Sequence, residues 1–259
     1  MSVVSVPVTT TEQQLREELA AVYRLVDHFK MTDLIFTHIS SRLPGDEPRF
    51  LINPYGLMFS EITASSLVEV DLQGNLVAPS HYRVNPAGFV IHSAIHEARR
   101  DAHCVLHTHT RSGCAVAAQA DGLLPLNQMS MEFYERIGYH DYEGIALDQD
   151  EKSRLVTDLG EHNALILRNH GLLTTGETAG RAFMRMFYLD RACEIQVAAQ
   201  ATGAQLLVPP ADVCEHTARQ INHESSDTSG NDLDNSDSWD LAWDALLRMA
   251  DRIAPDYRD

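Results

Sequence analysis

Apolar residues recur three and four positions apart in five stretches of the chain, which is the spacing that places them on one face of a helix. Thr11 and Thr178 are residue types that cap helix N-termini, and Gly203 follows the last apolar residue of the longest stretch. The pattern therefore predicts amphipathic helices. They cover residues 11–30, 86–100, 110–120, 178–202 and 239–254.

Shorter apolar or alternating runs, bounded by turn residues, lie between these helices and predict strands. The predicted strands cover residues 35–42, 49–52, 65–70, 76–78, 104–107, 164–167 and 172–175. Strands and helices are mixed along the whole length without a break in composition. We therefore predict one α/β domain that spans residues 1–259.

One segment departs from these patterns. Residues 224–238 are acidic and polar and contain almost no apolar residue, which predicts a mobile surface loop. The C-terminal stretch 239–259 returns to helical periodicity and carries Trp239 and Trp243. This last helix is a candidate for a subunit interface.

The charge balance narrows the classes of partner. The chain has 20 Lys and Arg against 37 Asp and Glu, a formal net charge of −17. Nucleic acid and anionic membranes both require a basic surface, so we expect neither as a partner. No signal peptide and no apolar run of about 18 residues is visible, and the four cysteines form no CxxC pair. These features predict a cytoplasmic protein.

Three histidines follow predicted strands and suggest a metal site. His107 and His109 are two residues apart at the end of strand 104–107, and alternate residues of an extended chain project to the same side. His170 follows strand 164–167 and precedes a glycine. Three protein ligands with an open position are typical of catalytic divalent sites, so we predict that these histidines bind one metal ion.

Three segments of the sequence resemble the class II aldolase/adducin family. They are NPYGLMFSEITASSLVEVD at 53–71, HSAIHEARRDAHCVLHTHTRSGCAVAA at 92–118 and LILRNHGLLTTGET at 165–178. The resemblance implies a three-layer α/β/α fold with a central, mostly antiparallel sheet. It also implies tetramers with sites at subunit interfaces. In enzymes of the family, the histidines that match His107, His109 and His170 hold zinc or another divalent ion, which polarises a substrate carbonyl.

The sequence departs from the sugar-phosphate aldolases at two motifs. Their Ser-Ser-Glu stretch, which binds phosphate and supplies a metal ligand and acid/base, aligns with Pro86-Ala87-Gly88. Their phosphate loop aligns with residues 37–40, where His38 replaces an amide and Ser40 remains. We therefore expect a non-phosphorylated substrate. The variant is similar to the adducin-like branch, whose animal members are structural and lack catalysis.

Other residues are candidates for chemistry and substrate binding. Tyr142 matches the position of a tyrosine that protonates the leaving group in the aldolases, and His140 and Glu61 are candidates for the missing acid/base or carboxylate. Four residues are candidate substrate contacts: Ser40, Arg42, Arg83 and Gly56. His92 and His96 are four residues apart on a predicted helix, and we interpret them as structural.

Three functions fit these residues. The first is a divalent-metal-dependent lyase of the aldolase type, with Zn²⁺ and a small, non-phosphorylated hydroxy-carbonyl substrate; Fe²⁺, Co²⁺ and Ni²⁺ suit the same ligands. The second is an Fe(II) oxygenase on the same three histidines. The third is a non-catalytic, adducin-like assembly module. In each case we expect a homo-oligomer, with a tetramer favoured.

Overall fold

The computed structural model describes residues 11–45, 47–144, 151–222 and 235–259. Seven strands of this described part form one sheet. They are β1 (His38–Arg42), β2 (Arg49–Ile52), β3 (Val68–Asp71), β4 (Cys104–Thr108), β5 (Gly138–His140), β6 (Ala164–Leu167) and β7 (Gly171–Gly176). Their order is β3-β2-β1-β4-β7-β6-β5, and every neighbouring pair is antiparallel except β5 and β6.

Eight α-helices of the described chain surround this sheet, and two short 3₁₀ turns, Phe59–Glu61 and Pro255–Arg258, accompany them. The helices are α1 (Glu12–His28), α2 (Pro86–Ala98), α3 (Arg111–Ala117), α4 (Gln128–Met131), α5 (Glu151–Leu159), α6 (Ala179–Ala201), α7 (Ala211–Ile221) and α8 (Asn235–Ile253). Thr11 and Thr178 cap α1 and α6 through their side chains, as their positions predicted.

Alternate residues of the central strands show that helices cover both faces of the sheet. Leu106 of β4 lies in one apolar cluster with residues of α1, α3 and α6. Its neighbour Val105 lies in a second cluster with Ile91 of α2 and Leu155 of α5. Successive strand residues point to opposite faces, so the two clusters are the two sides of a three-layer α/β/α arrangement. The predicted fold class is confirmed.

The strand register decides which face carries the histidines. His38 of β1 lies opposite His107 of β4, and Ser40 lies opposite Val105. These four residues therefore share the face that α2 covers. Polar residues of two adjacent strands are thus brought together beneath one helix.

The predicted and observed elements differ mainly at their edges. The strand predicted over 35–42 begins at His38, because Thr37 has a φ of 69° and Leu34 a φ of 51°, which interrupt the extended chain. The strand predicted over 76–78 is only an isolated bridge between Leu76 and Val70. The Asp71 side chain accepts hydrogen bonds from the Gln73 and Asn75 backbones in the turn that leads to Leu76.

Several elements carried no signal that predicted them. β5 is three residues long, and α4, α5 and α7 were not predicted. The last helix begins at Asn235, four residues before the predicted start, whereas residues 224–234 of the predicted mobile loop lie outside the described residues. Among the described helices, none combines the length and apolar character needed to cross a bilayer.

Candidate metal centre

His107 is fixed at the end of β4 by the neighbouring strand. Its ring is buried, and its Nδ1–H donates to the Leu172 carbonyl of β7 across 2.9 Å. A carbonyl only accepts hydrogen bonds, so Nδ1 carries the proton and Nε2 carries a lone pair. Burial, followed by the neighbouring His170 and His109, holds the pKa of His107 well below its ordinary value. The ring is therefore neutral and presents an acceptor.

His109 lies between β4 and α3, and its orientation is set by Asp33. Its Nδ1 is 2.9 Å from Asp33 Oδ2. An ionised carboxylate accepts only, so Nδ1–H donates to Asp33 and Nε2 is the ring nitrogen left for another partner. The next residue, Thr110, is the N-cap of α3, and its side chain accepts a hydrogen bond from the Gly113 backbone. His109 is thus held from both sides, by a carboxylate and by the start of a helix.

His170 reaches the same point from the tight turn between β6 and β7. Asn169 has a φ of 54°, a left-handed conformation that asparagine tolerates. Gly171 approaches β4 so closely that a Cβ would lie 2.4 Å from the Thr108 carbonyl oxygen and 3.3 Å from His107 Cε1. Only glycine fits there, and this approach places the His170 ring 4.8 Å from the rings of both His107 and His109, centroid to centroid.

We refer to His107, His109 and His170 as the triad. One nitrogen from each lies within 4.8 Å of the others. The Nε2 atoms of His107 and His109 are 2.9 Å apart although both Nδ1 atoms are committed as donors. In their neutral forms the two rings would turn lone pairs toward each other at this distance, and one shared cation would bind both. The donor set therefore fits a divalent ion of the type that prefers imidazole.

The structure places Tyr142 beside the triad. Its ring centroid is 6.5 Å from that of His170, and its side chain is 55% exposed. Tyr142 and His170 line one small cavity together with His140 and Arg168. This phenol is exposed, whereas the candidate base His140 is buried.

The other two acid/base candidates are engaged elsewhere. His140 is buried, with Nδ1 2.7 Å from Asp158 Oδ2 and Nε2 3.4 Å from Glu151 Oε1. Both ring nitrogens thus face carboxylates rather than the triad. Glu61 accepts a hydrogen bond from the Met58 backbone across 2.7 Å, which caps a 3₁₀ turn. No contact among the described residues joins Glu61 to the triad.

The four candidate substrate contacts are distributed unevenly. Ser40 is fully buried and hydrogen-bonded to His92 and His96, so these two histidines are structural partners of a serine. Arg42 has buried Nε and Nη2 atoms that lack a hydrogen-bond partner within the described chain. Arg83 and Gly56 lie in two exposed loops. One backbone hydrogen bond, from Tyr55 N–H to the Arg83 carbonyl, connects these loops.

His38 fills the space beside Gly88, the position that aligns with the glutamate of the sugar-phosphate aldolases. A Cβ on Gly88 would lie 2.3 Å from His38 Cγ, so the imidazole and a side chain at position 88 exclude each other. The His38 ring is stacked beside His107, with centroids 6.3 Å apart. The pairing of a histidine at 38 with a glycine at 88 is visible in the sequence, whereas the role of Asp33 had no sequence signal.

A mostly antiparallel sheet between two helical layers, with three histidines gathered at adjacent strand ends, defines a protein of the class II aldolase fold. Residues 17–197 match the model of the family described as Class II Aldolase and Adducin N-terminal domain. The chain belongs to this family.

Comparison with known proteins gives the same assignment. The fold matches that of an aldolase II superfamily protein from Pseudomonas syringae, with a TM-score of 0.87, 48% identity, and coverage of 97% of this chain and 98% of the other. It also matches L-fuculose 1-phosphate aldolase from Glaciozyma antarctica, with a TM-score of 0.81, 25% identity, and coverage of 98% and 97%.

A third relative comes from the adducins. The chain is 42% identical over 250 residues to alpha-adducin of Rattus norvegicus, which covers 93% of this chain and 34% of that protein. The chain thus spans about a third of this relative. The family contains proteins named as aldolases and proteins named as adducins, so membership alone does not assign an activity.

Proposed function

We propose that the protein is a divalent-metal-dependent lyase of the aldolase type, which cleaves a carbon–carbon bond in a small, non-phosphorylated hydroxy-carbonyl compound. The observation that supports this most strongly is the triad, in which two imidazoles whose Nδ1 atoms are already engaged direct their Nε2 atoms at each other across 2.9 Å. Zn²⁺ is the ion we assign first. When bound, such an ion acts as a Lewis acid that polarises a carbonyl oxygen.

The residues of this chain would then orient the ligands and move protons. Asp33 and the Leu172 carbonyl hold two triad rings in the tautomer that ligates. The reaction removes a proton from a substrate hydroxyl, breaks the bond between two carbons, and returns a proton to the carbon that keeps the electron pair. Tyr142 is the group we assign to proton transfer, since its hydroxyl is accessible and its ring lies beside His170.

The proposal is tested with purified, zinc-loaded protein and a panel of hydroxy-keto acids and hydroxy-ketones. We expect aldehyde release from at least one compound, and loss of release after chelation or in Tyr142→Phe. Retained metal with no cleavage of any compound would refute the lyase assignment. Iron as the bound metal after anaerobic purification, with oxygen uptake, would identify the Fe(II) oxygenase instead.

A second candidate function rests on the relation to alpha-adducin, which extends over 93% of this chain. Under this alternative the protein is an assembly module, and the homotetramer that we propose is its functional form. Sedimentation of wild-type protein and His107→Ala separates the two functions. Equal oligomers together with an inactive wild-type protein would favour assembly, whereas a wild-type activity that His107→Ala loses would favour catalysis.

A further inference from the structure

A second group of histidines lies on the same face of the sheet, beneath α2, and its hydrogen bonds have one consistent direction. We refer to Ser40, His92 and His96 as the α2 network. His96 Nδ1 is 3.2 Å from the Ala102 carbonyl, which accepts, so this nitrogen carries the proton. Burial lowers the pKa of His96 to about 3, so the ring is neutral and its Nε2 accepts.

The remaining bonds of the α2 network follow from that first one. Ser40 Oγ is 2.7 Å from His96 Nε2 and gives its only proton to it. The same oxygen is 2.6 Å from His92 Nδ1 and must accept from it. Burial, followed by the neighbouring His38 and His96, holds the pKa of His92 well below its ordinary value. His92 Nε2 is therefore a lone pair, and it has no partner within the described residues.

His38 presents the complementary group. The Asn85 side-chain amide nitrogen, a donor, is 3.0 Å from His38 Nε2. Because Nε2 accepts from this donor, it holds the lone pair of the ring, and the ring carries its proton on Nδ1. This Nδ1–H is buried and, within the described chain, has no acceptor. The His38 and His92 rings meet edge to face with centroids 5.8 Å apart.

An unpartnered donor and an unpartnered acceptor on neighbouring rings match the chemistry of a hydroxyl group, which accepts one hydrogen bond and donates another. Two hydrogen bonds of about 2.8 Å that meet at one hydroxyl oxygen at a near-tetrahedral angle join atoms about 4.6 Å apart. We propose that His38 Nδ1–H and His92 Nε2 form a subsite that binds a hydroxyl group of the substrate beside the triad. This inference rests on the proposed function, since it names the substrate group that the site recognises.

The same arrangement is unsuited to phosphate. A phosphate oxygen accepts hydrogen bonds, and the bare Nε2 of His92 would repel it. The proton of Ser40 is already given to His96. Arg42 lies two residues beyond Ser40 on β1, at the opposite end of the network from His38. The subsite therefore selects a neutral alcohol. A substrate that lacks a hydroxyl group at this point would leave the His38 donor and the His92 acceptor buried and unpaired.

Nuclear magnetic resonance of the full-length protein with ¹⁵N-labelled histidine tests the subsite, because long-range ¹H–¹⁵N spectra show which ring nitrogen carries the proton. We expect the Nδ1–H form for His38, His92 and His96. Zinc-loaded protein is then titrated with dihydroxyacetone, with acetone, which has the same carbonyl without hydroxyls, and with inorganic phosphate. Dihydroxyacetone should shift the His92 Nε2 and His38 Nδ1 signals saturably, and the other two probes should not.

Two variants and a control complete the experiment. His92→Phe removes the acceptor while filling its space, and Ser40→Ala releases the tautomer of His92 without touching the subsite. We expect wild-type protein to bind dihydroxyacetone about tenfold or more tightly than acetone. Both variants should reduce this preference. The exposed His103→Ala should leave it unchanged. If His92→Phe does not fold, Ser40→Ala carries the test.

The outcomes separate this proposal from the proposed function. If zinc perturbs the triad signals, three results would overturn the subsite and leave the metal site intact. They are equal shifts with acetone, shifts with phosphate, and no shift with any probe. The last of these results would mean that only water fills the subsite. If zinc leaves the triad signals unchanged, the proposed function fails, and the response of metal-free protein to dihydroxyacetone still decides the subsite.

Discussion

Two groups of histidines lie on one side of the sheet, and they differ in what their nitrogens contact. In the triad, the Nδ1 atoms of His107 and His109 donate to protein oxygens and the Nε2 atoms face each other. In the α2 network, Ser40 lies between His92 and His96 and satisfies one nitrogen of each. The residue type is the same, although His109 and His170 are only half-buried whereas His92 and His96 are buried. The position of one hydroxyl separates the metal-type arrangement from the hydrogen-bonded one.

The difference follows from the strand register. Ser40 lies opposite Val105, two residues before His107, so its hydroxyl reaches α2 but not the end of β4. The triad lies where β4 ends and β7 begins, and there the Leu172 carbonyl and Asp33 accept hydrogen bonds from two of its rings. Four predictions test this distinction.

The largest effect is expected for His107→Ala. Removal of a ligand should weaken zinc binding by more than about 100-fold, which exceeds the ~10–100-fold typical of outer partners. Isothermal titration of metal-free protein with zinc measures it. His103→Ala, an exposed histidine near the same strand, should bind zinc like the wild type. Equal affinities in the two variants would remove the triad from consideration as a metal site.

Asp33→Ala is expected to have the next largest effect. Without the carboxylate, His109 loses the acceptor that fixes its tautomer, and zinc affinity should fall by about 10–100-fold. Asp33→Asn retains an acceptor oxygen and should lose less. The same titration measures both variants. Wild-type affinity in Asp33→Ala would show that the contact at 2.9 Å does not support the metal site.

Gly88→Ala tests the space taken by His38. Alanine ordinarily stabilises a helix relative to glycine by about 1 kcal/mol, but its Cβ would lie 2.3 Å from His38 Cγ. We expect a net loss of about 1–3 kcal/mol in the free energy of unfolding, measured with urea. The double variant His38→Ala/Gly88→Ala should recover the stabilising effect relative to His38→Ala. Destabilisation of equal size in both backgrounds would contradict the proposed packing.

The smallest effect concerns the pH dependence of stability. The pKa of His96 is lowered to about 3 in the folded protein, from about 6.5 in the unfolded chain. Between these values the unfolded chain binds the additional proton, so the stability contributed by neutral His96 is complete above pH 6.5 and declines as the pH falls. The slope is about 1.4 kcal/mol per pH unit for this one group.

His96→Gln measures that slope directly. Urea unfolding of metal-free protein between pH 6.5 and 4.5 should show a shallower dependence in His96→Gln, by about one proton. His162→Gln provides a control at a partly exposed position. Identical slopes in the wild type and His96→Gln would mean that His96 is charged in the folded protein.

The sequence predicted most of the fold and the three triad residues because both depend on local patterns. Helical periodicity and capping threonines located α1 and α6, and strand ends located His107, His109 and His170. β5 was missed because its burial comes from pairing with β6 and not from its own composition. The contact between Asp33 and His109 joins residues 76 positions apart, and no local pattern encodes it.

The roles of the remaining candidates depended on tertiary contacts. Ser40 was a candidate substrate contact, yet the fold places it between two histidines of α2. His140 was a candidate base, yet both of its nitrogens face carboxylates. In each case the residue type was compatible with chemistry, and only the neighbours in space showed which hydrogen bonds were already made.

The most direct test of the triad is X-ray absorption at the zinc edge of the reconstituted protein. A metal site built from His107, His109 and His170 predicts one zinc per chain with three imidazole nitrogens at about 2.0–2.1 Å. The same spectrum should appear in His92→Phe, because His92 bonds to Ser40 and not to the triad. Failure to bind zinc stoichiometrically, or a first shell without three imidazoles, would contradict the account.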